Sequence, residues 1–344
     1  MLKKILISGV ALVLVCSVLF GFAKPELALS SELKKLNLPK SISLGTKPPG
    51  GYYYMKCAGL ARLIERETGM RVTVEEFPGA QVYLRHLGKN EIQAAFASAL
   101  DIRDAYHGTG PFKKVGKLPI AHLASGYSSA VVFATRPDTG ITKIEDLAGK
   151  KVMYRSPTAA TTPRCRAVLE YYGLLDKIVD IERPPSSRAT VQALIEKKVD
   201  CIGLAAVSAL QEVSRIYGRV VILPLSQECV DWMLEKDPTY VGKMIRVADY
   251  PGYKLERDVI SSGTPICLVA FKQLADDVAY AIVRSLYENY NEFKVVHPNA
   301  VEWTLESAVR KPVIPFHPGA IRYYKEKGVW TSKQQKWQEG LLAK

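Results

Sequence analysis

Three stretches of this chain carry residue types at spacings suited to holding a small charged molecule. "GTKPPGGYYY" (Gly45–Tyr54) places Thr46 and Lys47 ahead of two prolines, then Gly50, Gly51 and three tyrosines, just before a run with helical spacing. Glycines remove side chains where a backbone must approach a ligand. A helix N-terminus offers unpaired N–H groups and a partial positive charge. Tyrosine adds a flat apolar face with one hydrogen-bonding group, so Tyr53 and Tyr54 can close over a small organic body, with Tyr53 preferred. In "RSPTAATTPR", Arg155 precedes a helix start at Thr161 and Thr162. In "LASGYSS", Tyr127 follows a strand end. The chemistry these residues suit is non-covalent capture of an anion. The plain alternatives are a surface salt bridge for Arg155 and a solvated lid residue for Lys47.

The usual reasons to propose catalysis are missing. The sequence has no phosphate-binding glycine loop ending in Lys-Ser/Thr and no G-x-S-x-G elbow. Its five histidines are His86, His107, His122, His297 and His317, none spaced i, i+4 from another; His107 and His317 neighbour Gly or Pro and read as satisfied loop residues. No Cys/His group has zinc spacing, so no metal and no cofactor is expected.

The chain has 344 residues, with 48% hydrophobic and 24% charged residues, enough for two ordinary domains. Its first 23 residues read as a signal peptide: the basic Met1-Leu2-Lys3-Lys4, the apolar Ile5 to Phe20, and Gly21-Phe22-Ala23 before cleavage. A single anchoring helix is the alternative, disfavoured by the short apolar run and the lack of a following charge cluster. Lipidation at Cys16 is disfavoured because Val13-Leu14-Val15 lacks the small residue needed before the cysteine. Export predicts a periplasmic chain with no membrane span after residue 23. The net charge of +13 falls to +11 once Lys3 and Lys4 are removed. The charges are dispersed, with no nucleic-acid motif, so a basic surface suited to a periplasmic setting is favoured over nucleic-acid binding; an anionic ligand is favoured on the separate grounds of the binding stretches above. Five mature cysteines remain, Cys57, Cys165, Cys201, Cys229 and Cys267. Cys201 and Cys267 read as core thiols, and one disulfide is left open.

The elements that must position these residues alternate. Ser41–Thr46, Arg71–Phe77, Ala94–Ser98, Ile120–Leu123 and Ala130–Thr135 read as strands, with helices over Tyr54–Thr68 and Val82–Leu87. A second unit follows, with strands at Lys151–Tyr154, Ile178–Ile181, Cys201–Ala205 and Val220–Leu223. Its helices are Thr162–Tyr172, Arg188–Lys197 and Ser208–Ile216. After a linker around Asp249–Tyr253, strand Ile266–Phe271 and helix Ala275–Glu288 rejoin the first unit. The rhythm predicts an α/β fold of two lobes. Lobe 1 is discontinuous (38–138 and 254–330), lobe 2 with the hinge return spans 139–253, and 331–344 is a C-terminal tail. Two crossings between lobes make a hinge and a central cleft.

"SISLGTKPPGGYYY", "DAYHGTGPF", "ITKIEDLAGKKV", "YPGY" and "IPFHPGAIRYYKEKG" occur in this order. Together they resemble the TAXI family, the solute-binding subunits of one class of TRAP transporters, from about Ser41 to Gly328. The resemblance implies a type II periplasmic binding-protein fold. It also implies capture of small organic anions for ion-gradient-driven uptake through membrane subunits, here expected to be fused. Tyr53 and Tyr54 match the tyrosines that follow the family's paired glycines, and Tyr127 falls where the family often has tyrosine. Three polar segments depart from the family pattern. The first loop has Lys47-Pro48-Pro49 in place of small polar residues. The second ligand segment is Ser98-Ala99-Leu100. The third is Ala159-Ala160-Thr161, followed by Thr162. A buried ammonium would need the acceptors that are lost. The expected ligand is therefore a carboxylate with a less polar body, such as a keto, branched or aromatic acid. An extracytoplasmic sensor for a membrane receptor is the second reading. A third is an enzyme on a binding-protein fold, as in pyrimidine-forming thiamin enzymes, whose cysteine-rich motif is absent here.

Overall fold

The computed structural model describes residues 35–49, 52–155, 161–184, 186–205, 208–237 and 239–343. The signal segment, Cys16, Gly50, Gly51 and Ala160 lie outside them. In chain order the elements begin with β1 (Ser41–Thr46), α1 (Tyr52–Thr68), β2 (Arg71–Glu76), α2 (Ala80–Gly88), β3 (Ala94–Ser98), α3 (Ala99–His107) and β4 (Ile120–Thr135). Then come β5 (Lys151–Arg155), α4 (Thr162–Tyr171), β6 (Val179–Glu182), α5 (Ser187–Ile195), β7 (Cys201–Ala205), α6 (Leu210–Tyr217) and β8 (Val221–Ile222). Next are α7 (Gln227–Lys236), β9 (Val241–Ile245) and β10 (Val259–Phe271). The chain closes with α8 (Asp276–Glu288), α9 (Tyr290–Phe293), α10 (Leu305–Ala308), α11 (Pro318–Glu326) and α12 (Ser332–Leu342).

One sheet runs β2-β1-β3-β10-β4-β7-β5-β6, with β8 added to β4 and β9 to β10. The outer triplets, β2-β1-β3 and β7-β5-β6, are parallel. The two long central strands are antiparallel to each other and to their neighbours. One end of β4 and β10 pairs into the first triplet's half and the other end into the second's. Helices cover both faces of each half, which is what turns short, continuously apolar strands such as Ala94–Ser98 into buried ones. Tyr53, Leu60 and Ile64 of α1 pack with α8 and Trp303 on one face, while Tyr83, Leu87 and Ile102 form the core of the other. In the second half, Cys165 and Val168 pack with Met233, and Val191 with Val213.

The central pair departs from the sequence expectation. Ile120–Leu123 and Ala130–Thr135 are not two strands but the ends of one 16-residue strand, buried throughout. The intervening Ser125-Gly126-Tyr127-Ser128-Ser129 has turn-like composition. It is extended because β10 lies along it, with Ser125 opposite Cys267, Ser128 opposite Pro265 and Ser129 opposite Thr264. The ladder slips between Pro265 and Cys267, where proline has no N–H to give. Gly126 is required by close approach, since a Cβ there would sit inside the Trp303 indole. His122 lies in β4, within the expected strand Ile120–Leu123: its Nε2 is 3.0 Å from Ser125 Oγ and its ring stands edge-on to Phe316. The five mature cysteines are all buried and unbridged. Residues 332–342 form α12, whose Gln338 side chain accepts from the Phe316 amide (2.8 Å) and donates to its carbonyl (3.1 Å).

Two outcomes follow for stability. Gly126→Ala should cost about 1–3 kcal/mol by overpacking against Trp303, read from denaturant midpoints. Burial pulls the His122 imidazole down to about 3. Between its ordinary value near 6.5 and that point, the unfolded chain binds a proton the folded one refuses. Stability should therefore decline by up to about 1.4 kcal/mol per pH unit as pH falls through this window, and His122→Asn should flatten the decline.

Candidate functional site

The cleft between the two sheet halves is lined from both sides by strand ends and helix starts. On the first side, Thr46 ends β1, and its buried hydroxyl has no hydrogen-bond partner. Lys47 follows, its Nζ 4.5 Å from the Tyr53 ring centroid. Ser98 caps α3: its Oγ accepts from the Asp101 amide (3.2 Å) and donates to the Asp101 carboxylate (2.6 Å). Burial raises the Asp101 pKa, opposed by the Ser98 bond and the charges of Lys47 and Arg164.

The tyrosines sort by helical angle. The spacing expectation favours Tyr53 and Tyr54, but Tyr52 is the one stacked with other site groups. Its ring lies 4.3 Å from Tyr53 and edge-on to Tyr127 at 5.3 Å. Tyr53 is buried in the core of α1's inner face, and Tyr54 is turned about 200° away from Tyr52 on a helix of this pitch. Tyr127, from the middle of β4, is buried with its ring edge-on to Tyr52. Desolvation, first, and neighbouring tyrosines raise the pKa values of Tyr53 and Tyr127 well above the ordinary phenol value.

Lys56, one turn beyond Tyr52, is fully buried. Its Nζ lies 4.1 Å from the Tyr127 centroid, 4.8 Å from Tyr52, 5.3 Å from Trp303 and 5.8 Å from Phe96, with no hydrogen-bond partner. Burial lowers its pKa well below the ordinary lysine value, opposed by Glu302.

The second side is built around the start of α4. Thr161 precedes the helix, and its Oγ1 accepts from Arg183 Nη2 at 3.2 Å. Arg164, in the first turn, is 3% exposed and donates through Nη1 to the Ser129 carbonyl of β4 at 2.7 Å. It lies within electrostatic reach of Tyr52 and Tyr53 across the cleft. Arg183 is 6% exposed. Arg164 Nε and Arg183 Nε and Nη1 are buried with no partner. Burial lowers the pKa of both, yet a guanidinium keeps its charge in proteins. Thr162 opens the helix, and Pro163 behind it contributes no N–H.

Arg155 does not join them. It is half-exposed at the end of β5, bound to Asp180 (3.0 Å) and Glu182 (2.9 Å) of the neighbouring β6. Strand pairing puts both acids beside it, so the surface salt bridge is the reading that holds. Lys56, Arg164 and Arg183 were not anticipated. The signal for the first two was their position in apolar helix stripes, Tyr53-Lys56-Cys57-Leu60 and Arg164-Cys165-Val168, where a solvated cation does not belong.

Among the described residues, two ion pairs join the halves. Arg103 of α3 meets Asp237, after α7, at 2.6 Å, and Lys243 of β9 meets Glu302 at 2.7 Å. Among the described residues no group of His, Cys, Asp and Glu could hold a metal ion, and no helix is long and apolar enough to cross a membrane.

Comparison with known proteins follows this geometry. Residues 44–328 match the model of the family described as NMT1-like. Among solved structures, XAC2383 from Xanthomonas citri bound to chloride ion aligns with a TM-score of 0.50 and 11% identity, covering 88% of this chain and 100% of that one. A structure described as that of a periplasmic transporter aligns with a TM-score of 0.50 and 15% identity, covering 90% of this chain and 98% of that one. The fold is thus the α/β, two-lobe, type II periplasmic binding-protein fold, with its hinge and central cleft.

Each interlobe ion pair, partly exposed, should contribute about 0.5–1 kcal/mol to holding the lobes together. Arg103→Ala combined with Lys243→Ala should therefore enlarge the radius of gyration of the free protein in small-angle X-ray scattering, while either change alone has a smaller effect.

Proposed function

The chain belongs to the NMT1-like family, and from that premise we propose that it is an extracytoplasmic solute-binding protein for a small organic anion. The observation that carries this reading is the uncompensated cation set in the cleft. Arg164 and Arg183 flank the start of α4 with buried N–H groups that no protein atom accepts. Buried donors left without acceptors cost about 1–3 kcal/mol each, more when charged. A carboxylate between the lobes would supply the acceptors, and a guanidinium fork suits it. The facing wall of Tyr52, Tyr53 and Tyr127 offers aromatic surface, with one partnerless hydroxyl at Thr46. This favours a keto, branched or aromatic acid over a free amino acid, whose ammonium would meet more cations.

In this reading the chain is not an enzyme and acts in the periplasm after residues 1–23 are removed. Lobe 1 is 38–138 with 254–330, and lobe 2 is 139–253. Closure around the ligand makes the form that TRAP-type membrane subunits, as in the TAXI family it resembles, take up for ion-gradient-driven transport.

Thermal-shift measurements on residues 24–344 with amino acids, dicarboxylates, keto acids and aromatic acids test it. Keto or aromatic acids are expected to raise the melting temperature by mass action, and stabilisation by amino acids alone would overturn the ligand class. Arg164→Ala should weaken binding about 10–100-fold, the scale of a charged hydrogen bond. Arg155→Ala should leave it unchanged, since that side chain is held at the outer strand.

A further inference from the structure

Lys56 has no role in the fold that a leucine could not fill better. Its amine is fully buried, has no hydrogen-bond partner, and is boxed by Tyr52, Phe96, Tyr127 and Trp303. Two of those rings, Tyr52 and Tyr127, also line the cleft. Arg164 donates to the Ser129 carbonyl of β4 at 2.7 Å, two residues along the strand from Tyr127, whose ring lies 4.1 Å from the amine. An anion held by Arg164 would thus sit beside the strand that carries one wall of the amine's box.

We infer that Lys56 takes up a proton when the anion is captured, so that the cleft binds the anion and the proton together. This deepens the anion-binding reading above and rests on it. The reason is electrostatic. An amine out of water is disfavoured as an ammonium unless a negative charge is near. In the free protein the charged and titratable groups facing it do not supply a committed one. Glu302 is the acid that favours its charge, but Glu302 already holds Lys243 at 2.7 Å. His297, whose ring is 6.0 Å from Tyr52, has its pKa lowered by burial and then by Lys56. Tyr52, Tyr127 and Tyr250 are phenols, the last two pushed further toward their neutral forms by burial. A bound carboxylate reverses the balance, and the aromatic faces around the amine favour its cationic form once it is made. The proton comes from solvent and goes to Lys56 Nζ, and no covalent bond to the ligand forms.

The test is titration calorimetry of residues 24–344 with phenylpyruvate, 4-methyl-2-oxopentanoate and benzoate at pH 8, each in phosphate and in Tris. These buffers differ in ionisation heat, so their difference counts protons. The expected result is uptake approaching one proton per anion, and an affinity that weakens by up to about tenfold per pH unit as pH rises below the ordinary lysine value. Lys56→Met should abolish the uptake and flatten the pH profile, whereas Arg164→Ala should weaken binding without flattening it. Binding by the wild-type protein with no proton uptake would overturn this inference and leave the anion reading standing. If none of the three acids binds, the anion reading falls and this one falls with it. Because the wild-type proton count decides the matter, a Lys56→Met protein that fails to fold would not obscure the result.

Discussion

The pairing of β4 with β10 is the constraint from which the rest of the molecule follows. Both strands are long enough to belong to both halves of the sheet, so neither lobe's core is complete without the other's chain. Each lobe ends its own parallel strands at the same junction, which brings β1, β3 and the start of α4 to one cleft. The pairing also explains the local composition. Small residues, Ser125, Gly126, Ser128 and Ser129, let the strands and Trp303 approach closely, and Pro265 interrupts the ladder midway along β10.

Around that junction the protein has gathered charge that it does not neutralise. Lys56, Arg164 and Arg183 are withdrawn from water; Arg164 donates to the Ser129 carbonyl and Arg183 to the Thr161 hydroxyl, while Lys56 Nζ, both Nε atoms and Arg183 Nη1 have no partner among the described residues. Desolvation of this kind weakens a fold unless something else compensates. The compensating group is therefore best sought outside the polypeptide, and the ordinary ion pairs of the surface, such as Arg155 with Asp180 and Glu182, differ in having their acids already in place.

Much of the architecture was legible because period and punctuation agreed. Alternating β and α patterns pointed to an α/β fold, and β1, β3, β5, β7, α4 and α8 fall close to the expected ranges. What could not be read was pairing at a distance. Ser-Gly-Tyr-Ser-Ser looks like a turn until a partner strand is laid beside it. Arg155 looks like a ligand-holding cation until β6 returns with two acids. Lys56 and Arg164 were readable in principle, as cations in buried helical stripes. A stripe is defined by its apolar members, however, and a reader looking for them skips over the exception. Lys47 meets Tyr53, and Tyr52 meets both Tyr53 and Tyr127, while helical angle turns Tyr54 away from Tyr52.

The buried, unbridged cysteines have a consequence for how such a chain survives outside a reducing compartment. Burial pushes the thiols of Cys57, Cys165, Cys229 and Cys267 up to about 12. At neutral pH the reactive thiolate of these four is then about one part in 10⁵. Burial in the fold thus does for these sulfurs what a protecting group does in synthesis: it keeps them in the thiol form, and only opening of the surrounding core would return them to ordinary reactivity.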